Sequence, residues 1–168
     1  MAARPSGEGP AVSGMTGGGP ASWRLRRYVA DDEAAAIELW RRTWQAAYPH
    51  LDFSARLDWW RARWRDELVP VATVTVADRD GALIGFVTVD ETTGYLDQIV
   101  VDPQAWGTGL AAALVAEAKR LSPSGLDLLV NQDNARAVRF YEKHGFGIAG
   151  ADVNPRSGAA LHRMRWRP

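Results

Sequence analysis

From residue 23 onward, apolar and polar positions recur in an order that predicts a chain of alternating strands and helices. WRLRRYV, residues 23–29, reads as a strand. DDEAAAIELWRRTWQAAY, residues 31–48, opens on acids, which suit the positive end of a helix. Ile37, Trp40, Trp44, Ala47 and Tyr48 then recur at helical spacing, and Pro49 ends the run. A second helix is predicted over 53–68, with Phe53, Leu57, Trp60, Trp64 and Leu68 along one stripe. VATVTVAD and ALIGFVTVD are β-branched runs joined through Asp80-Gly81, a strong hairpin signal. GYLDQIVVD is a third such run, followed by a glycine loop and a helix to about Leu121. Pro123 and Gly125 mark a turn before the strand LDLLVN, and NARAVRFYEKHG gives a short helix that Gly145 stops. Two late strands, FGIAGADV and ALHRMRW, flank the turn-rich NPRSG. The predicted order is β-α-α-β-β-β-α-β-α-β-β, an α/β chain of the α+β type with no internal repeat and no second-domain boundary.

Composition narrows the function more than the fold. Of 168 residues, 20 are Lys or Arg and 20 are Asp or Glu, so no long-range field draws the chain to nucleic acid or anionic lipid. No apolar run approaches the roughly 18–20 residues of a membrane span. The chain has no Cys, which removes disulfides, thiolate metal sites and a Cys nucleophile; His50, His144 and His162 are far apart, so no metal is expected. Residues 1–22 are rich in Gly and Pro and lack the apolar core of a secretory signal; they are expected to form a flexible leader before a domain spanning 23–168. With no export signal, the expected compartment is the cytoplasm.

The candidate chemistry centres on VVDPQAWGTGLAAAL, residues 100–114, where two glycines separated by one residue open an alanine-rich helix. A helix start offers unpaired N–H groups to an anion, and glycine lets a phosphate come close. A nucleotide-hydrolysing loop needs Lys after the second glycine, yet Leu110 and Ala111 follow here. A dinucleotide fingerprint belongs in a first βαβ unit with an acid ending the next strand, whereas this loop comes late and LDLLVN ends in Asn131. A pyrophosphate-binding turn for coenzyme A and a plain tight turn remain.

A second patch separates these readings. NARAVRFYEKHGF, residues 134–146, follows the next strand. Together the two patches resemble the GNAT superfamily of acyl-CoA N-acyltransferases, whose pattern runs Val-x-Pro, Gln/Arg-x-x-Gly-x-Gly/Ala, then Asn-x-x-Ala-x-x-Phe-Tyr and Gly-Phe. The matching residues are Val101 and Pro103, then Trp106, Gly109 and Ala111, then Asn134, Ala137, Phe140, Tyr141, Gly145 and Phe146. Trp106 departs from the family's Gln or Arg. The resemblance implies a single domain with a mixed, mainly antiparallel sheet, splayed at the cleft that takes acetyl-CoA as co-substrate.

It also implies roles. Backbone amides of Gly107, Thr108, Gly109, Leu110 and Ala111 hold the pyrophosphate, and Trp106 either stacks on the cofactor or covers the helix end. The backbone of Ile99, Val100 and Val101, on a bulged strand, holds the pantetheine arm and polarises the thioester. Asn134 is a helix N-cap that also reaches the cofactor. Tyr141 is the general acid for the departing thiolate, or else a plain helix-face aromatic. Asp97 is the candidate general base, or else a solvated strand-end charge. Arg136 and Arg139 either meet the cofactor's 3′-phosphate or lie on the surface. Trp59 is expected to be the exposed tryptophan of the two early helices, and Arg61, Arg63 and Arg65 a solvated face. The resemblance thus implies transfer of an acetyl group to a primary amine of a small molecule or peptide, with a CoA-binding interaction module as the alternative. Late strands such as ALHRMRW often pair between subunits in this family, which leaves a homodimer open.

Overall fold

The computed structural model describes residues 23–168; the leader expected over 1–22 lies outside the described residues. At the centre, β2 (Thr73–Arg79) and β3 (Ala82–Asp90) form the expected hairpin, with Asp80 and Gly81 both at positive φ. β1 (Arg24–Arg27) adds antiparallel to β2, and β4 (Tyr95–Val101) antiparallel to β3. β5 (Leu126–Asn131) lies beside β4, and β7 (Ala160–Trp166) and β6 (Gly147–Val153) complete one seven-stranded sheet in the order β1-β2-β3-β4-β5-β7-β6. Only the β4–β5 contact is parallel, so the sheet is mixed and mainly antiparallel.

Helices cover both faces. α1 (Glu33–Ala47) and α2 (Leu57–Arg63) pack on one side, where Trp40 stacks on Trp60 with centroids 4.5 Å apart and Phe53 sets its edge to Trp40 at 5.8 Å. Such pairs add about 0.5–1.5 kcal/mol each beyond the area they bury. α3 (Leu110–Leu121) and α4 (Ala135–Lys143) pack on the other side against Ile99, Val101, Leu126, Leu128 and Val130.

The second helix is less regular than its stripe predicts. Ser54–Arg56 is a 3₁₀ turn, and Trp64–Leu68 is a wide π turn in which the Val69 N–H reaches back to the Trp64 carbonyl at 2.9 Å. Trp60, Trp64 and Leu68 are four residues apart, more than the 3.6 of an α-helical turn, and the wide turn keeps all three facing the sheet.

Arg26 ties the first strand to the start of α1 and to β2. It donates to both oxygens of Asp32, at 2.8 and 2.9 Å, and to Asp78 at 2.9 Å. The Arg26 guanidinium is the main cause holding the Asp32 carboxyl below its usual range; at Asp78 the Gly81 N–H comes first and Arg26 second. Both carboxyls bind protons less readily in the folded chain than in the unfolded one. Their stabilisation is therefore present above about pH 4 and lost as the pH falls below it. Arg26→Ala is expected to lower stability at pH 7 and to flatten its fall between pH 4 and 2, as read by urea unfolding across that range.

Candidate active site

The cleft arises because β4 and β5 are joined at one end only. Tyr95 pairs with Asp127, and the Asp127 N–H donates to the Gly94 carbonyl at 2.9 Å. Beyond that point β4 stays with β3 while β5 stays with β7 over its whole length, so the two strands diverge toward Val101 and Asn131. At the apex, a Cβ on Gly94 would lie 2.7 Å from the Gly125 carbonyl oxygen, so only glycine permits this approach. The register of β4 against β3 slips between Thr88 and Val89, which pair with Gln98 and Leu96; Asp97 is the bulged residue. Ile99, Val100 and Val101 bury their side chains completely, as expected, so that they can offer a ligand only their backbone.

The glycine loop sits at the open end. Gly107 and Gly109 have φ of 77° and 84°, and a Cβ on either would meet nothing within 4 Å. Glycine is thus required here by the backbone conformation, and open space lies above it. Among the described residues, no backbone carbonyl accepts from the N–H of Gly107, Gly109, Leu110, Ala111 or Ala112. This is a helix start whose first N–H groups have no backbone acceptor, the electrostatic requirement for an anion. Thr108 instead turns its hydroxyl back onto the Ala105 carbonyl at 2.6 Å. Trp106 donates its indole N–H to the Val101 carbonyl at 3.0 Å, so that carbonyl already has a partner, and its ring packs at the edge of the core.

Across the cleft, Asn134 caps α4, its Oδ1 accepting from the Ala137 N–H at 3.1 Å. Sequence reasoning missed its neighbour. Tyr48, at the end of α1, receives the Asn131 amide on its hydroxyl at 3.3 Å and bridges to the far strand of the splay. Burial pushes the Tyr48 phenol up, with the side chains of Asn131 and Asn134 opposing, so it is a neutral hydroxyl at physiological pH. Nothing local in the sequence marks it, because its partner is 83 residues away. Tyr141 is 2% exposed, set between Phe140 and Phe146 in the same core cluster as Ile99, Val101 and Leu110.

Asp97 is not a solvated strand-end charge. It is 8% exposed, and its two oxygens accept from Arg63 at 2.5 and 3.2 Å. The Gln98 amide also donates to it at 2.7 Å. Arg63 is 6% exposed, which corrects its expected place on a solvated face; only Arg61 and Arg65 remain there, paired with Asp58 and Glu33. A guanidinium becomes buried here because a bidentate carboxylate meets it and Trp60 lies beneath, 5.4 Å from its Cζ. The Gln98 Oε1 is fully buried and accepts no hydrogen bond among the described residues.

Asp97 also faces a cleft of about 510 Å³ on the α1–α2 side, floored by Tyr95, Asp127 and Leu129 and flanked by Arg163 and Arg165 of β7. Burial opposes the charge on Asp127, but Arg167 and Arg165 together hold its carboxyl below the usual range. Trp59 is half-buried, with the Arg156 guanidinium 4.1 Å over its ring, joining α2 to the β6–β7 turn.

The sequence model of the Acetyltransferase (GNAT) family matches residues 34–146, well over half of the chain. The chain belongs to the GNAT acetyltransferase family. This acetyltransferase is 33% identical over 132 residues to the peptidyl-lysine N-acetyltransferase YjaB of Salmonella typhimurium, covering 75% of the chain and 84% of that protein. Its fold matches the solution structure of apo YjaB from Escherichia coli with a TM-score of 0.71 at 25% identity, covering 86% and 97% of the two chains. It also matches the PaiA N-acetyltransferase of Thermoplasma acidophilum, solved in complex with coenzyme A, with a TM-score of 0.70 at 19% identity, covering 88% and 99%. The acetyltransferase fold expected from the two motifs is therefore present, including the bulge and the splay.

Arg63→Ala in this acetyltransferase leaves Asp97 buried without its counter-ion, and about 3–5 kcal/mol of stability should be lost in urea unfolding. Asp97→Asn combined with Arg63→Met should recover part of that loss, whereas two independent surface changes would simply add.

Proposed function

We propose that the protein transfers the acetyl group of acetyl-CoA to a primary amine of a peptide or small molecule. The observation that carries this reading is the one-ended β4–β5 pairing with the glycine loop at its open end. It offers strand edges for an extended arm and bare N–H groups for a pyrophosphate. The PaiA protein of similar fold was solved with coenzyme A, and YjaB is named a peptidyl-lysine N-acetyltransferase. Those likenesses support acetyl-CoA as donor and favour a lysine side chain in a peptide among the acceptors. The cytoplasm, where acetyl-CoA meets proteins and small amines, is the setting this reading implies.

In the proposed reaction the neutral amine nitrogen attacks the thioester carbonyl carbon directly. A C–N bond forms, the C–S bond breaks, and the thiolate takes a proton from the Tyr141 hydroxyl. A phenol near pKa 10 remains protonated at neutral pH and can donate to a thiolate whose ordinary pKa is about 8.5. No acyl-enzyme is needed, and the chain has no Cys to form a thioester of its own. Backbone N–H groups of Ile99–Val101 would stabilise the oxyanion. The amine's proton passes toward Asp97. The unmatched Gln98 oxygen beside that carboxylate suits a relay water, since a buried unsatisfied acceptor costs about 1–3 kcal/mol.

Thiol release from acetyl-CoA, followed by a thiol-reactive dye over a panel of lysine peptides, polyamines and amino acids, tests the reading; turnover well above hydrolysis is expected with at least one amine. Tyr141→Phe should then lower kcat by about a hundredfold or more, with KM for acetyl-CoA little changed. Asp97→Asn should lower kcat most at low pH, where the amine is most protonated. Binding of acetyl-CoA without turnover of any amine would favour a CoA-binding module.

A further inference from the structure

The loop that would receive a pyrophosphate carries no cation. Between Asp102 and Ala111 the one charged side chain is Asp102, and Arg42 engages it at 2.5 Å while the Gln104 N–H binds its other oxygen at 2.9 Å. A charge of about −2 would therefore meet only helix-end dipoles unless another element supplied a guanidinium. Arg136, the second residue of α4, does so. Its Cζ lies 4.8 Å from the centroid of the Trp106 ring. Trp106 is in turn fixed by the bond from its indole N–H to the Val101 carbonyl. The indole thus forms a rigid shelf next to Gly107, and the guanidinium rests on it, held by cation–π attraction.

Resting on the acetyl-CoA reading above, we propose that Arg136, seated on Trp106, is the cation that binds the pyrophosphate of coenzyme A. Two features support the pyrophosphate rather than the 3′-phosphate. The shelf residue is the immediate neighbour of the N–H groups that no backbone carbonyl takes, and the loop itself contributes no competing positive charge. A planar guanidinium can also give two parallel hydrogen bonds to one phosphate, which an ammonium cannot. The arrangement explains why the chain can carry Trp at 106. The residue gives up its own polar contact and serves as the platform for a charge from another helix. Arg139, one helical turn on and exposed, has no such platform among the described residues.

The test is calorimetric titration of the full chain with CoA, dephospho-CoA and pantetheine, for the wild type, Arg136→Ala, Arg136→Lys and Trp106→Phe. Arg136→Ala should weaken CoA and dephospho-CoA by the same factor, about ten- to a hundredfold, and leave pantetheine unchanged. Arg136→Lys should restore part of the loss. Trp106→Phe keeps a flat face without the Val101 bond and should fall between. Thermal unfolding of each variant separates a binding loss from misfolding, and Arg136→Lys supplies the folded comparison. In turnover assays the effect should appear in KM for acetyl-CoA with kcat held. A loss seen with CoA but not with dephospho-CoA would assign Arg136 to the 3′-phosphate and overturn the proposal. Unchanged binding of both by Arg136→Ala would overturn it while leaving the acetyl-CoA reading intact. Failure of the wild type to bind CoA would bring down both.

Discussion

The close approach of Gly94 and Gly125 is the constraint on which the cleft depends. A parallel pair of strands in the middle of a sheet would normally bond along its length and leave nothing for a ligand. Here the pair is pinned at Tyr95 and Asp127 and then parts, because each strand is bonded more completely to its other neighbour. The backbone groups along the parting edges are the main resource of the site. They are held by β4, whose side chains from Leu96 on are buried on both faces, and by β5, which is bonded along its whole length to β7, and rigidity is what makes backbone donors effective toward developing charge.

In the proposed reaction the two faces of the sheet around this parted edge have different tasks. The α3–α4 face supplies helix starts, the glycine loop and Asn134, all suited to a cofactor's phosphates. The α1–α2 face supplies Asp97, its counter-ion Arg63 and the broader cleft toward β7, suited to an acceptor. The tryptophans contribute mainly by packing. Trp40, Trp60 and Trp64 fill the layer between helix and sheet, and Trp60 also supports Arg63. Two tryptophans act through their faces instead: Trp106 carries Arg136, and Trp59 carries Arg156.

The bulge at Asp97 shows how a single extra residue changes chemistry. In a regular strand, neighbours point to opposite faces. The slipped register sends Asp97 and Gln98 to the same side, where the amide of one binds the carboxylate of the other. That doubles the polar groups at one point on the α2 face and gives Arg63 a partner strong enough to be buried with. A carboxylate so arranged has a fixed position and orientation, which a solvated one lacks.

The element order, the hairpin at Asp80-Gly81, the glycine loop and the Asn134 cap were legible in the sequence because each is set by local physics. Periodicity of burial, positive φ and a side chain reaching its own helix's first turn all act within a few residues. Even the two motifs that revealed the family are local signatures. The parting of β4 from β5 was legible only through the family resemblance, and the burial of Arg63, the Tyr48–Asn131 bridge and the seating of Arg136 on Trp106 were not legible. Each joins residues about 30 or more apart in the chain, across elements whose mutual placement depends on the packing of the whole sheet. Arg61, Arg63 and Arg65 make the point within one helix. Their composition is the same and their spacing regular, yet only Arg63 is buried, because its carboxylate, Asp97, is itself buried, whereas Asp58 beside Arg61 is exposed and Glu33 beside Arg65 only half-buried.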